Sequence, residues 1–440
     1  MVRKLKSLKN HQGFMKYFKN TSWLFAEKVI RLLVGFFVLI LLTRYLGPER
    51  FGILSYSQSL ISIFVAVATL GLDAVVIREI VKKNYEENVL IGTAFYLKVI
   101  ASAIVLAIVF IMNSFVDSDD GSVYIANIIA FSLIFQSINV IDTYFQSKVI
   151  SKYVVYSNII AFLISSFIKL VLIYYEVDLV YFAYALVFDT VIIAFGYLYI
   201  YKYQKKSVLD WSYNNELAKY YLKNALPLIL VTLTVFIYAR IDQVMIKHMI
   251  DNEAVGNYAA AVRVSELFYF IPGLIAQSVF PKIIEVKNQN DEKEYYKLLE
   301  MLYSLSVWIV IPIALSMAYF TDNIVSILYG SQYSQASVIL FVLSFAIIFN
   351  AIGAVSTKIL YAEHFEKKYL YRSLFGMLIN VVLNMILIQL YGVLGAAIAT
   401  IITLFAIHYV YDLFDKQLMK FYYMKWKCFV SVKINFKGTK

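Results

Sequence analysis

The sequence contains few of the residues that form disulfides, metal clusters and charged soluble surfaces. Its 440 residues include one cysteine, four histidines and five prolines, and only 16% are Asp, Glu, Lys or Arg. A single cysteine excludes an internal disulfide and a thiolate metal cluster, and the histidines are too scattered to form a metal-binding motif. Soluble chains are about 25% charged, so the composition excludes an ordinary soluble domain. We predict no metal and no cofactor.

Catalytic motifs are also absent from the sequence. It contains no nucleoside-triphosphate loop and no hydrolase nucleophile elbow. A membrane enzyme that polymerises or ligates sugars is expected to have a large outer loop, whereas the longest predicted outer turn covers only residues 321–334. Residues 1–20 are basic and lack a small-residue cleavage site, so no cleavable signal peptide is expected. These absences predict a protein that is not an enzyme.

The sequence is instead rich in long apolar runs, and 61% of its residues are hydrophobic. A membrane-spanning helix needs about 20 apolar residues, whereas the alternating strands of a β-barrel are about half as long. The runs have helical length throughout, which predicts an all-α integral membrane protein with twelve transmembrane helices. The predicted spans are 23–43, 51–71, 90–112, 122–143, 154–173, 179–200, 225–246, 254–280, 302–320, 335–356, 373–390 and 394–411.

Basic residues give a net charge of +11 and are distributed asymmetrically between the two ends of the predicted spans. Of 40 Lys and Arg residues, 31 lie in the termini and in the loops after the even-numbered spans, three lie in the opposite turns and six lie within spans. This asymmetry is the positive-inside rule. It predicts that both termini are cytoplasmic, and that the basicity reflects topology and contact with anionic lipid. Nucleic acid is not an expected partner.

Three polar segments have more specific interpretations. Residues 1–20 interleave basic and apolar side chains, which fits either a short interfacial helix or a disordered basic tail. The acidic outer turn at 117–121 could bind a cation weakly, but a solvated turn is the simpler interpretation. Residues 416–440 combine lysines with aromatic side chains and predict a cytoplasmic tail held at the inner leaflet, not a further span.

The two halves of the chain are related by an offset of 204 residues. This offset aligns Glu49 with Glu253 and Gly52 with Gly256 without a gap. Because six spans separate the two copies, both copies have the same orientation in the membrane. This predicts two six-helix lobes, related by an axis along the membrane normal. The predicted division is an N-terminal lobe at 1–210, a C-terminal lobe at 211–415 and the tail at 416–440.

Eleven charged side chains fall inside the predicted spans, six basic and five acidic. At about 3 kcal/mol each, exposing all of them to lipid would cost roughly 30 kcal/mol, more than the ~5–15 kcal/mol net stability of a typical protein. Most of them are therefore expected to face the bundle interior. Glu27 and Arg31 are four residues apart and can pair on one helix face. Lys169 and Asp189 lie on consecutive spans and can also pair.

Spans 7 and 8 contain the most informative set of charges. Arg263 and Glu266 are three residues apart, so they can form a pair that only stabilises the helix. Arg240 and Asp242 are two residues apart and cannot face one another. At least one of the latter two therefore needs a partner on another helix or a ligand, which makes this segment the stronger functional candidate.

Several motifs in this sequence resemble those of bacterial polysaccharide repeat-unit flippases. These proteins are the O-antigen and capsule branch of the multidrug/oligosaccharidyl-lipid/polysaccharide exporter superfamily. The motifs cover both predicted lobe openings, and the span count fits over the whole length. The motifs are KNTSWLFAEKVIRLL, RYLGPERFG, LGLDAVVIRE, YARIDQVMI and EAVGNYAAAVRVSELFYFIPG.

The resemblance implies a multi-pass protein of the bacterial cytoplasmic membrane, with two six-helix lobes around a central cavity. It also implies that the protein moves undecaprenyl-pyrophosphate-linked oligosaccharide to the outer leaflet by alternating access. Membrane lipids and other polysaccharide-assembly proteins are the expected partners. Arginine suits a diphosphate because its guanidinium bonds phosphate oxygens in pairs. The expected substrate-binding cations are Arg31, Lys98, Lys169, Arg240 and Arg263, and the expected supporting or ion-coupling acids are Glu27, Asp189, Asp242 and Glu266.

Two other functions remain open from the sequence. A cation-coupled drug or small-molecule exporter of the same superfamily would favour acidic over basic residues in its cavity, whereas the in-span charges here are six basic to five acidic. A purely structural membrane scaffold is the remaining alternative.

Overall fold

A computed structural model describes residues 12–115, 121–289 and 291–430, and helices are its only regular elements there. Residues 1–11, the acidic positions 117–120 and residues 431–440 lie outside these ranges, so the structure does not test their interpretations. The α-helices are α1 Gln12–Ala68, α2 Asp73–Lys82, α3 Glu87–Ser114, α4 Ser122–Ala130, α5 Ser132–Gln136, α6 Val140–Ser147, α7 Lys152–Tyr174, α8 Leu179–Tyr203, α9 Asn215–Met249, α10 Asn252–Glu266, α11 Phe270–Asn288, α12 Glu292–Tyr319, α13 Thr321–Tyr329, α14 Ser334–Ser344, α15 Ala346–Ala362, α16 Glu366–Tyr391, α17 Val393–Phe405, α18 Tyr411–Leu413 and α19 Met419–Val430.

The lengths and apolar character of these helices make the chain a multi-pass membrane protein. In the described ranges, ten helical segments are long and apolar enough to cross a membrane, or eleven if α14 and α15, bent by 42°, form one span. One of the ten, Ser22–Lys82, contains both of the first two predicted spans. The all-α class is therefore confirmed, and the count of twelve spans stays a prediction.

The long first helix, α1, is interrupted at Gly47. This residue has φ 68° and ψ 171°, a conformation outside the helical region, and Pro48 follows it. Glycine adopts positive φ without the steric cost that a Cβ imposes, and proline cannot donate a backbone hydrogen bond to the preceding turn. The turn Arg-Tyr-Leu-Gly-Pro, which the sequence placed between spans 1 and 2, is thus the point where α1 breaks.

The chain forms two compact units. Among the described residues, unit 1 comprises those within 12–46 and 57–233, and unit 2 comprises those within 47–56 and 234–430. The core of unit 1 is aliphatic and aromatic and includes Val76, Ile91 and Phe145. The core of unit 2 includes Leu299, Tyr303 and further residues of α12, α15 and α19. The division into two six-helix lobes stays a prediction.

Helix α19 lies in the predicted tail and packs into the core of unit 2. Phe421, Met424 and Cys428 are buried on one face of this helix. The indole Nε1 of Trp308 on α12 donates to the carbonyl oxygen of Cys428 at 3.0 Å. The first part of the tail is therefore an integral element of unit 2.

Inside unit 2, the segment after Gly47 packs directly against the start of α10. A Cβ added to Gly52 would lie 1.7 Å from the carbonyl oxygen of Asn252, and one added to Gly256 would lie 1.9 Å from that of Pro48. Both distances are far below van der Waals contact, so only glycine fits at either position. The offset of 204 residues aligns Pro48 with Asn252 and Gly52 with Gly256. The contact is therefore reciprocal, since each glycine meets the backbone of the residue that aligns with the other glycine's neighbour.

Candidate functional site

A polar cavity of about 500 Å³ opens in unit 1. The region between Ser122 and Ser147 is not one regular helix: α5 ends at Gln136 and a 3₁₀ turn, Ser137–Asn139, precedes α6. Such short 3₁₀ stretches often mark functional positions. The cavity is lined by charged, amide and phenolic side chains, with apolar neighbours: Glu27, Lys28, Arg31, Gln136, Asn139, Asn158, Thr190 and Tyr197 among them.

The cavity contains the ion pair that the sequence suggested in span 1. Arg31 Nε lies 3.2 Å from Glu27 Oε1, and the Arg31 guanidinium carbon lies 5.5 Å from the centre of the Phe162 ring. Arg31 keeps 38% of its side chain exposed, against 12% for Glu27. The carboxylate and the ring therefore orient the guanidinium without enclosing it. On a neighbouring wall, the hydroxyl of Tyr197 donates to Asn158 Oδ1 at 2.9 Å.

The two predicted lysines of unit 1 each have a carboxylate partner. Lys98 is 1% exposed and its Nζ lies 2.6 Å from Asp73 Oδ1, which also accepts from Thr143. Lys169 Nζ lies 2.7 Å from Asp189 Oδ2, so the predicted pairing of these two spans is confirmed. Within the described residues, neither lysine lines the 500 Å³ cavity.

In unit 2, Arg240 on α9 is held by Glu266 on α10. The Nη1–Oε1 distance is 3.3 Å and the Nη2–Oε2 distance is 3.4 Å, so both arms of the guanidinium face both carboxylate oxygens. Arg263 lies close enough to Arg240 and Glu266 to interact with both charges. Glu266 therefore serves as a counter-ion near both arginines.

Asp242 is the most deeply buried of the predicted acids, at 4% exposure. Its Oδ2 accepts from Tyr258 Oη at 2.6 Å and from Thr400 Oγ1 at 2.9 Å, and its Oδ1 accepts from Asn384 Nδ2 at 2.6 Å. Asn384 Nδ2 also donates to Asn380 Oδ1 at 3.1 Å. Asp242 therefore finds its partners on three other helices, and those partners are neutral oxygen-bearing side chains.

Sequence reasoning missed two sets of candidate site residues. It overlooked the uncharged lining of the unit 1 cavity, Gln136, Asn139 and Asn158, because an isolated neutral amide inside an apolar run has no charge whose burial needs a counter-ion. It also overlooked Arg372, which is 3% exposed, because span 11 was predicted to begin at residue 373. Helix α16 begins at Glu366, so Arg372 lies within it and not in a loop.

Two family profiles match this chain, each over more than half of its length. The profile described as "Polysaccharide biosynthesis protein" matches residues 17–287. The profile described as "Lipid II flippase MurJ" matches residues 198–434.

Curated relatives agree with these profiles. The capsular polysaccharide biosynthesis protein CapF of Staphylococcus aureus is 21% identical over 408 residues, which cover 91% of this chain and 99% of CapF. The probable low-salt glycan biosynthesis flippase Agl15 of Haloferax volcanii is 26% identical over 175 residues, which cover 40% of this chain and only 37% of Agl15. The Lsg locus putative protein 1 of Haemophilus influenzae is 26% identical, covering 72% of this chain and 78% of that protein.

Solved structures establish the fold. The inward closed conformation of the lipid II flippase MurJ superposes with a TM-score of 0.73 at 14% identity, covering 92% of this chain and 90% of MurJ. An inward-facing multidrug resistance transporter of the MATE family superposes with a TM-score of 0.72 at 14% identity, covering 91% and 94% of the two chains. The chain therefore belongs to the polysaccharide biosynthesis protein family, within the exporter superfamily that its motifs predict.

Proposed function

We propose that this protein is a flippase that moves undecaprenyl-pyrophosphate-linked oligosaccharide repeat units from the inner to the outer leaflet of the cytoplasmic membrane by alternating access. Its proposed orientation has both termini in the cytoplasm. Its substrate is the lipid-linked oligosaccharide, and other polysaccharide-assembly proteins are its proposed partners. It uses no cofactor and catalyses no covalent reaction.

The observation that carries this proposal is the chemistry of the unit 1 cavity. Two cations, Lys28 and Arg31, stand against one carboxylate, Glu27, so the wall is net positive and suits a phosphate-bearing head group. Amide and hydroxyl groups on the other walls both donate and accept hydrogen bonds, which suits sugar hydroxyls. A cavity of about 500 Å³ gives such a head group charged and polar partners within an otherwise apolar bundle, where an unpaired charge would be costly.

The remaining predicted cations divide into two groups by their partners. Arg240 and Arg263 share the region of Glu266, and we propose that an incoming diphosphate competes with this carboxylate for their guanidinium groups. Lys98 and Lys169 are matched one to one by Asp73 and Asp189. We propose that these lysines mainly hold helices together and contact substrate less than the arginines do.

Asp242 is the proposed ion-coupling residue. Its three donors, Tyr258, Thr400 and Asn384, are neutral, and each carries an oxygen that can turn from hydrogen bonding to cation coordination. A buried carboxylate with neutral oxygen neighbours favours binding of a proton or a small hard cation, because either removes the cost of burying the charge. Loading and release at Asp242 would then bias the transport cycle.

The flippase proposal is tested by reconstitution into proteoliposomes that contain a lipid-linked oligosaccharide. The measurement is the rate at which the sugar becomes accessible to an impermeant glycosidase. Arg31→Ala should lower this rate at least about tenfold, and Arg31→Lys should rescue it in part, because lysine keeps the charge without the fork geometry. Arg78→Ala is the control, since Arg78 is an exposed arginine of unit 1 outside the cavity lining. Wild-type transport by Arg31→Ala would refute the assignment of this cavity.

Ion coupling is tested in the same vesicles by imposing sodium or proton gradients. Asp242→Asn should remove the dependence of the flipping rate on the gradient while keeping a similar side-chain shape. Asp178→Asn, at an exposed helix start in unit 1, should keep that dependence. If Asp242→Asn responds to the gradient as the wild type does, coupling resides elsewhere.

A cation-coupled drug exporter is the second candidate, and the similarity to the MATE transporter structure favours it. At 14% identity that similarity concerns the fold alone. Efflux of cationic drugs by the same vesicles, without movement of the lipid-linked sugar, would establish this alternative.

A further inference from the structure

Four ionisable side chains are almost completely buried where α16, the turn after α17 and α19 meet in unit 2. Arg372 is 3% exposed, His408 6%, Asp412 1% and Lys425 1%. Lys425 Nζ pairs with the Asp412 carboxylate and also donates to the backbone carbonyl of His408 at 2.8 Å. Lysine and aspartate therefore neutralise each other.

Arg372 has no such counter-ion in the described part of the chain. Its Nη2 lies 2.8 Å from His408 Nδ1. Among the described residues, this is the one hydrogen bond that the Arg372 side chain makes. A guanidinium can only donate, so Nδ1 must accept, and the ring proton of a neutral His408 sits on Nε2. The cluster thus contains two cations and one carboxylate. A buried positive charge without an anion is energetically costly and requires an explanation.

The unpaired charge borders a cavity. Arg372 and His408 line a space of about 200 Å³ together with the phenolic side chains of Tyr238, Tyr269 and Tyr369. A water molecule occupies about 30 Å³ in the liquid, so this space accommodates several waters or one compact polar group. The lining offers donors, namely the remaining guanidinium N–H groups, the His408 Nε2–H and phenol O–H groups. It also offers oxygen acceptors on Asn350, Thr357 and Ser373, whose side chains donate to backbone carbonyls.

The backbone around His408 is built to hold the ring at this cavity. Residues Ala406–Val410 form a π-helical turn, a rare geometry that is frequent at functional sites. On the facing helix α15, a Cβ at residue 353 would lie 2.6 Å from His408 Nε2, so Gly353 leaves the space that the ring occupies. Two independent backbone features therefore position the same donor.

We infer that this cavity of unit 2 binds a phosphate-type oxyanion, with Arg372 as the bidentate donor and His408 Nε2–H as a second donor. Such an anion would restore the charge balance of the cluster, and the arginine fork matches the spacing of phosphate oxygens. Two lipids carry this group: a prenyl-linked diphosphate and an anionic phospholipid. The inference does not depend on the proposed transport function, because both lipids present the same chemistry.

The test measures binding to the full-length protein in detergent micelles. The probes are inorganic diphosphate, farnesyl diphosphate and short-chain phosphatidylglycerol, with phosphatidylcholine as the zwitterionic control. At least one anionic probe should raise the thermal unfolding midpoint, and Arg372→Gln should weaken its affinity about 10- to 100-fold. Arg78→Gln, which removes an exposed arginine of unit 1, should leave the affinity unchanged. Farnesyl diphosphate and phosphatidylglycerol then distinguish the two lipid sources.

A second measurement, the unfolding midpoint without ligand, distinguishes an arginine that binds the anion from one that only stabilises the fold. Without ligand, Arg372→Gln should unfold at the wild-type midpoint or above it, because the substitution removes an uncompensated buried charge. A clear fall of the ligand-free midpoint, with anion binding intact, would overturn the inference, as would failure of every anionic probe to bind the wild type. If Arg372→Gln does not accumulate, Arg372→Lys should fold and bind several-fold more weakly; wild-type affinity in that variant would also overturn it.

Discussion

At the scale of single residues, the one cysteine of the sequence shows how burial lowers the reactivity of a thiol. Cys428 is 1% exposed on α19, and its Sγ lies 2.9 Å from the carbonyl oxygen of Lys425. Burial raises the pKa of the Cys428 thiol to about 12. A thiol reacts with maleimide as the thiolate, so raising its pKa lowers its reactivity near neutral pH.

We therefore expect Cys428 to resist maleimide at pH 7–8 even in permeabilised cells. Labelling should become fast after denaturation in detergent, and gel shift with a polyethylene-glycol maleimide measures both conditions. Rapid labelling of the native protein would contradict the packing of α19. Because the buried thiol reacts slowly on either side of the membrane, Cys428 is not a suitable topology probe.

The pair Lys169–Asp189 gives a prediction about paired charges. Lys169→Met leaves a partly buried carboxylate unpaired and should destabilise the protein by up to about 3 kcal/mol. The double variant Lys169→Met/Asp189→Leu removes both charges and should recover most of the lost thermal stability. Unfolding midpoints of the purified variants measure both effects. If the double variant is no more stable than the single one, the pair does not lock α7 to α8.

Charge pairing could be predicted where spacing along one helix, or adjacency of consecutive spans, brings two side chains close together. Glu27 and Arg31 are one helical turn apart, so their contact follows from helix geometry. The partners of Asp242 lie 16, 142 and 158 residues away, and no local pattern in the sequence encodes those contacts. Tertiary packing decides them.

At the scale of elements, the helical class was predictable and the helix ends were not. Apolar runs of spanning length specify helices because the backbone must satisfy its hydrogen bonds inside the bilayer. The ends extend beyond the apolar runs: α16 begins seven residues before predicted span 11, at Glu366. Arg372, at the end of that extra stretch, looks like a loop residue by hydropathy although it is buried in the fold.

Helix α19 gives a prediction at this scale. Phe421 is 2% exposed and Tyr423, two positions later, is 58% exposed, so they occupy opposite faces of the helix. Phe421→Ala should cost about 3–5 kcal/mol through lost contacts and a residual cavity. Tyr423→Ala on the exposed face should cost at most about 1 kcal/mol. Chemical or thermal unfolding compares the two, and equal losses would show that α19 does not dock by its Phe421 face.

At the scale of the whole molecule, the charge asymmetry predicts an orientation that a matched pair of cysteines can test. In a Cys428→Ser background, Glu176→Cys reports a predicted outer turn and His364→Cys a predicted inner loop. Both positions are exposed and both have left-handed backbones, with φ of 51° and 57°. Because the two sites are matched in this way, a difference in maleimide labelling reports the side of the membrane. With the cytoplasmic membrane intact, an impermeant maleimide should label the first and not the second. The reverse pattern would invert the topology.

Membership of the family was predictable from short motifs, because the motifs at both predicted lobe openings are distinctive strings and not mere apolar runs. The boundaries of the two compact units could not be predicted from the sequence. Residues 47–56 belong to the second unit although they lie early in the chain. The close contact between Gly52 and the backbone of Asn252 explains this assignment, and it is visible only in three dimensions.

The reciprocal glycine contact makes the segment after Gly47 and the start of α10 dependent on each other. Gly52 meets the backbone at Asn252 while Gly256 meets the backbone at Pro48, so each segment supplies the small residue that the other requires. A side chain gained at either glycine would therefore disturb both segments. A chimaera that joins one half of this chain to half of a relative would therefore assemble only if the incoming half brings its own glycine at the matching position.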